Sequence, residues 1–158
     1  MMTYEQLKLE NQLCFPVYAA SRLIIREYQP HLEKLGITYP QYLVLMLLWE
    51  TDGRTVNEIA QALILNTNTV TPILKRMEAL GFIERKRSNE DERRVIISLT
   101  AKGDHLREEA VKIPERLVEG LLTDDMKLED LHRLKEQLYA MIHFLTEKGG
   151  GEPGDERT

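Results

Sequence analysis

Between Thr55 and Leu99 the spacing of apolar residues switches from a helical period to a two-residue period, and few folds accommodate that switch. Thr55-Val56-Asn57-Glu58 has the form of a capping box, in which Thr accepts from the first turn and Glu reaches back to the cap N–H. It opens a short helix with Val56, Ile59, Ala60 and Leu63 on its inner face. A three-residue turn around Ile64 to Asn66 leads to a second helix, about Thr67 to Leu80, which buries Val70, Ile73, Leu74, Met77 and Leu80. Its other face holds Asn68, Thr69, Thr71, Pro72, Lys75 and Arg76. After Gly81, two β-type runs, Phe82 to Arg87 and Val95 to Leu99, flank a six-residue polar tip from Ser88 to Arg93. Two short helices joined by a tight turn and followed by such a hairpin make a winged helix-turn-helix.

Long segments flank this unit. Cys14, Val17, Ala20, Ile24, Tyr28, Leu32 and Leu35 recur at three- and four-residue steps, so about Tyr4 to Leu35 reads as one helix with an apolar stripe. Pro16 implies a kink or a late start, because it lacks the donor for the Gln12 carbonyl; Pro30 raises the same question near the other end. Gly36 supplies a stop, and Thr38-Tyr39-Pro40-Gln41 is a second capping box. Tyr42 to Trp49 is apolar nearly all round and predicts a buried helix, ended by Asp52-Gly53. Thr100 caps a helix over roughly Ala101 to Leu122, with Leu106, Ala110, Ile113, Leu117 and Leu121 inward and Pro114 bending it. Thr123-Asp124-Asp125 begins a last helix carrying Leu128, Leu131, Leu134, Leu138, Met141 and Leu145 at heptad-like spacing.

The expected architecture is mainly α with a small β-hairpin wing. Residues 1–147 form a single domain: about 37–100 make the DNA-binding lobe, and about 4–36 and 101–147 make long N- and C-terminal dimerisation helices. Residues 148–158, rich in Gly, form a disordered tail. A helical chain of this size often leaves a long terminal helix in need of a partner surface.

The net charge of −5 argues against a generic nucleic-acid coat. Yet the segment from Lys75 to Arg94 carries seven basic and five acidic residues, leaving −7 on the remainder. A local basic stripe suits a protein that touches phosphates with one face, although alone it fits a solvated surface equally well. No apolar run spans a membrane and no secretory signal is visible, so a cytoplasmic chain is expected. A lone cysteine, Cys14, is either inert packing or chemistry. The four histidines, His31, His105, His132 and His143, have no ligand spacing, and neither a metal nor a cofactor is expected.

Hydroxyl, amide and basic side chains bond base edges and phosphates. Thr69, Thr71 and Arg76 are therefore assigned to the major groove of double-stranded DNA, with Asn68, Thr67 and Lys75 nearby. Arg93, at the wing tip, is assigned to the minor groove, with Asp91 orienting it.

The stretches "LGITYPQYLVLMLLWE", "TVNEIAQAL", "NTVTPILKRMEALGFIERKRSNEDERRVIISLT" and "AKG" resemble the MarR family of winged-helix regulators, over about Leu7 to Leu145. The D-x-R wing, Asp91-Glu92-Arg93, and the T-x-TP-x-LKR-x-E helix, Thr69 to Glu78, carry the resemblance together. It implies an obligate homodimer built from the first, fifth and sixth helices on a pseudo-palindromic operator.

"LENQLCFPVYAASRLI" (Leu9 to Ile24) resembles the start of the organic-hydroperoxide-resistance branch of that family. The resemblance implies that Cys14 is oxidised by an organic hydroperoxide and that Tyr28 and Tyr39 hydrogen-bond to it, with Tyr18 as a neighbour. On a straight helix Tyr28 lies about four turns, roughly 21 Å, beyond Cys14. The two cannot touch within one chain, so an antiparallel helix from a second subunit has to bring the tyrosine over. Oxidation yields a sulfenic acid. With no second cysteine, the next step is a mixed disulfide with a low-molecular-weight thiol or over-oxidation.

The expected function is that of a DNA-binding transcriptional repressor that releases its operator on oxidation of Cys14. Two other readings stay open: release of the repressor by a small phenolic or aromatic ligand, or a broader thiol-based redox regulator. A thiol peroxidase is disfavoured, since no basic neighbour activates Cys14 and no resolving cysteine recycles it, so the chain is not expected to be an enzyme.

Overall fold

The computed structural model describes residues 4–88, 91 and 93–149. Asn89, Glu90 and Glu92 of the expected wing tip, and residues 150–158 of the expected tail, lie outside the described residues.

The first helix does not run from Tyr4. Two short 3₁₀ turns, Glu5–Leu7 and Leu9–Asn11, precede it, and α1 (Cys14–Leu35) begins at the cysteine itself. Pro16 is then the third helical residue, where a backbone N–H has no intrahelical acceptor to lose, so it causes no kink. Gln12 lies outside the helix, and Pro30 is carried within it. Gly36 closes α1 at φ 69°, and the Ile37 N–H turns back to the Leu32 carbonyl at 3.1 Å.

The second helix, α2 (Tyr39–Glu50), starts where Gln41 Oε1 accepts the Thr38 N–H at 2.9 Å. It supplies Tyr42, Val44, Leu45 and Leu48 to the core. Strand β1 (Arg54–Thr55) pairs with the wing, which periodicity did not show. At α3 (Val56–Leu63) both halves of the capping box form, and the Thr55 N–H and hydroxyl bonds hold the Glu58 carboxyl below its ordinary range. The turn to α4 (Thr67–Ala79) places Ile64 at φ 56°, a left-handed conformation that a β-branched residue rarely adopts. Asn66 caps α4 by accepting the Thr69 N–H at 2.7 Å.

Val70, Leu74 and Met77 of α4 are fully buried, whereas Leu80, expected inward, is 43% exposed because the helix ends before it. Strands β2 (Ile83–Arg87) and β3 (Val95–Leu99) form the hairpin, with sheet order β1-β3-β2, all antiparallel. Phe82, expected to open β2, instead belongs to the buried corner after α4, its N–H bonded to the Met77 carbonyl at 3.0 Å.

The single helix expected from Ala101 to Leu122 is three pieces: α5 (Ala101–His105), α6 (Arg107–Ala110) and α7 (Ile113–Leu121). Pro114 has no N–H for the Ala110 carbonyl. Leu106, Val111 and Lys112 keep right-handed helical dihedrals, so the path is interrupted rather than abandoned. The last helix, α8 (Leu128–Lys148), starts five residues later than expected. The Thr123 hydroxyl accepts the Met126 N–H at 3.0 Å, and Asp130 accepts that of Lys127 at 3.0 Å, which makes 123–127 a turn.

One core joins the winged lobe to the flanking helices, because Leu32, Ala110 and Ile113 pack with Val44, Leu74 and Ile97. Much of the flanks is bare, although Tyr28, Leu35 and Leu106 also pack against this core and Leu117 is buried. None of the 21 residues of α8 is buried, and Phe15, Val17, Tyr18, Leu23 and Ile25 of α1 are exposed. Exposed apolar side chains gathered along two helices are the kind of surface that interaction sites present.

Candidate DNA-reading face and thiol site

Packing of Val70, Leu74 and Met77 turns the opposite side of α4 to solvent. Thr67, Asn68, Thr69, Lys75 and Arg76 are exposed there, and Thr71 is half-buried. Two hydroxyls are already engaged: Thr69 donates to Asn66 Oδ1 at 2.9 Å, and Thr71 to the Thr67 carbonyl at 2.7 Å. In this state each offers a base only its lone pairs, which suits an exocyclic amino group. Lys75 and Arg76 form no ion pair among the described residues.

The hairpin is set against α4 by Arg85, whose Nη1 lies 3.5 Å from Glu78 Oε2. At the tip, Asp91 Oδ1 accepts the Arg93 N–H at 3.0 Å, and the Asp91 carbonyl accepts the Arg94 N–H at 2.9 Å. Asp91 thus acts on the backbone beneath Arg93, which leaves the Arg93 side chain exposed. Among the described residues, no group of His, Cys, Asp and Glu is placed to hold a metal ion.

Cys14 is exposed on the first turn of α1. Since α1 is continuous from Cys14 to Leu35, the thiol and Tyr28 stand roughly 21 Å apart along one face. Tyr18, one turn from Cys14, is exposed and lies under Arg22, whose guanidinium carbon is 5.3 Å from the ring centroid. Tyr28 and Tyr39 meet at the far end, with ring centroids 4.9 Å apart. The structure brings these two together and leaves Cys14 and Tyr18 at the opposite end of the helix.

Tyr42, expected only as part of a buried helix, completes the cluster at 6.0 Å from Tyr28 and 6.5 Å from Tyr39. Its signal was the step Tyr39, Tyr42, Trp49, which puts three aromatic rings on one side of α2. Burial, then the neighbouring Tyr39 and Tyr42, pushes the Tyr28 phenol up to about 12. Burial also raises Tyr39, with Tyr139 of α8 adding to it, and raises Tyr42, with Tyr39 adding. These phenols stay protonated at neutral pH and are available as donors to an anion. Between the two ends of α1 runs an open groove of about 820 Å³, lined by Phe15, Arg22, Arg26, Gln29 and Tyr39 among others.

Residues 26–110 match the family described as transcriptional regulator SarA/Rot. The chain is 51% identical over 145 residues to the organic hydroperoxide resistance transcriptional regulator of Bacillus subtilis (strain 168), covering 92% of this chain and 97% of that one. Among solved structures, reduced AbfR bound to DNA, a Staphylococcus epidermidis protein, is 39% identical and superposes with a TM-score of 0.73, covering 91% of this chain and 99% of that one. Disulfide-formed AbfR, at 39% identity and covering 90% and 95%, superposes with a TM-score of 0.63. This chain therefore belongs to the MarR-type winged-helix transcriptional regulators, in the branch of the organic hydroperoxide resistance regulators.

Proposed function

We propose that this protein is a homodimeric repressor that grips a pseudo-palindromic operator and releases it when an organic hydroperoxide oxidises Cys14. The carrying observation is the placement of Cys14: exposed at the start of a helix whose other end holds Tyr28 packed against Tyr39, phenols that can donate to an anion. The B. subtilis relative bears the hydroperoxide function in its name, and AbfR is known reduced on DNA, over-oxidised on DNA and as a disulfide.

Residues 1–147 act as one domain, in which the bare stripes of α1 and α8 pack against a second copy. An antiparallel α1 from that copy brings Tyr28 over Cys14, with Tyr39 of α2 packed beside it. In the lobe, Thr69, Thr71 and Arg76 read the major groove, with Thr67, Asn68 and Lys75 alongside. Asp91 fixes the backbone that carries Arg93 to the minor groove.

The chemistry balances in two steps. The Cys14 thiolate attacks one peroxide oxygen, the O–O bond breaks, and the alkoxide leaves and takes a proton, giving an alcohol and a sulfenic acid. A small cellular thiol then displaces hydroxide from sulfur, forming a mixed disulfide and water. Phe15 and Val17 beside Cys14 favour an alkyl peroxide over hydrogen peroxide.

Mass spectrometry tests this step. One equivalent of an alkyl hydroperoxide is expected to add a single trappable oxygen at Cys14, and a small thiol to convert it to a mixed disulfide. A protein left unmodified contradicts the reading.

A second reading, release by a small aromatic ligand, is favoured by an apolar groove of about 460 Å³ between Tyr42, Met46, Trp49, Val111 and Pro114. A Cys14→Ser protein that leaves DNA on addition of a phenol selects it.

A further inference from the structure

The tyrosine cluster does not end at Tyr42. Trp49, the single tryptophan of the chain, stands at 6.2 Å from the Tyr42 ring in an edge-on arrangement. Its indole N–H donates to the Gly103 carbonyl at 3.0 Å, across 54 residues of sequence.

Gly103 sits at a joint with no spare room. A Cβ built there lies 1.9 Å from the Phe82 carbonyl oxygen. The Gly103 N–H donates to Thr100 Oγ1 at 3.1 Å, and that hydroxyl donates to the Gly81 carbonyl at 2.6 Å. The Thr100 N–H closes the set on the Phe82 carbonyl at 3.1 Å. Gly81 and Phe82 are the two residues on which α4 hands over to the wing, and Thr100 is where the wing ends. A continuous line of packed rings and hydrogen bonds therefore runs from Tyr28 through Tyr42 and Trp49 to the point that sets α4 against the hairpin.

We propose that Trp49 is a positioning residue of the peroxide response: its ring contact with Tyr42 and its hydrogen bond to Gly103 carry displacement of the tyrosine cluster to the α4–wing joint. This rests on the oxidation of Cys14 proposed above. Packed chains of this kind carry coupling only if they have two arrangements, so coupling is what has to be measured.

The test compares wild type, Cys14→Ser and Trp49→Phe in operator-binding anisotropy, with and without tert-butyl hydroperoxide and a small thiol. Trp49→Phe keeps a ring against Tyr42 and removes the donor to Gly103. The expected result is reduced-state affinity within about threefold of wild type, complete oxidation of Cys14 by mass, and an oxidation-induced affinity loss about tenfold smaller than in wild type. Release equal to wild type overturns the role of Trp49 and leaves the peroxide reading standing. A variant whose Cys14 no longer oxidises also overturns it, because Trp49 then serves the sulfur and not the joint. Wild type that holds its operator overturns both proposals. A second readout needs no substitution at position 49: tryptophan emission is expected to shift on oxidation in wild type and not in Cys14→Ser. Unchanged emission in wild type that has released DNA contradicts the proposal.

Discussion

Tyr28 and Tyr39 hold their rings 4.9 Å apart across the corner between α1 and α2, while Cys14 stands on the same α1 roughly 21 Å away. The helix between them is unbroken, so no bending within one chain closes that distance. A sensor made of these residues has to be assembled from two subunits.

Subunit mixing tests that geometry. In a heterodimer of a Cys14→Ser subunit and a Tyr28→Phe/Tyr39→Phe subunit, the remaining cysteine faces intact tyrosines only if the pairing crosses between subunits. One sulfur per heterodimer is expected to oxidise at the wild-type rate, while the Tyr28→Phe/Tyr39→Phe homodimer oxidises about ten- to a hundredfold more slowly, as loss of phenol donors to a thiolate implies. A slow heterodimer contradicts the crossed arrangement.

The raised tyrosines predict an alkaline limit on stability. The folded Tyr28 phenol binds its proton more tightly than the unfolded one, with about 12 against an ordinary 10.0. Its contribution is complete below pH 10 and is lost as pH rises toward 12. Tyr39 and Tyr42 are shifted in the same direction. Urea midpoints measured from pH 8 to 11 are expected to fall above pH 10, and less steeply in Tyr28→Phe.

Gly103→Ala places a methyl group against the Phe82 carbonyl, where backbone has to move. A destabilisation of roughly 1–3 kcal/mol is expected, read as a lower melting temperature. Operator affinity is expected to fall with it, because the shifted backbone joins α4 to the wing.

At the DNA face, Arg93→Ala is expected to weaken operator binding and to reduce the slope of log affinity against log salt by about one. Asp91→Ala keeps the arginine but removes the acceptor of its N–H, so affinity is expected to fall with a smaller change in slope. Equal affinities and salt slopes for wild type and Arg93→Ala contradict a place for that side chain on the DNA.

Much of this arrangement was readable in the residues, because its causes are local. Thr55 with Glu58, Asn66 before α4, and alternation along Val95 to Leu99 act over a few positions. The distance from Cys14 to Tyr28 followed from helical rise alone. Other features depended on competition that periodicity does not express. The segment from Tyr4 reads as part of one helix, yet the described residues ahead of Cys14 bury nothing and form only 3₁₀ turns. Side-chain bonds at Thr123 and Asp130 moved the start of α8. The link from Trp49 to Gly103 joins residues 54 apart through a backbone carbonyl, and no spacing rule marks it.

The most direct measurement is fluorescence anisotropy of labelled operator DNA, taken from upstream of the protein's own gene, with wild type and Cys14→Ser. An alkyl hydroperoxide is added in the presence of a small thiol. Release of DNA by wild type alone is the result this account predicts; retention by both proteins, or release by both, contradicts it.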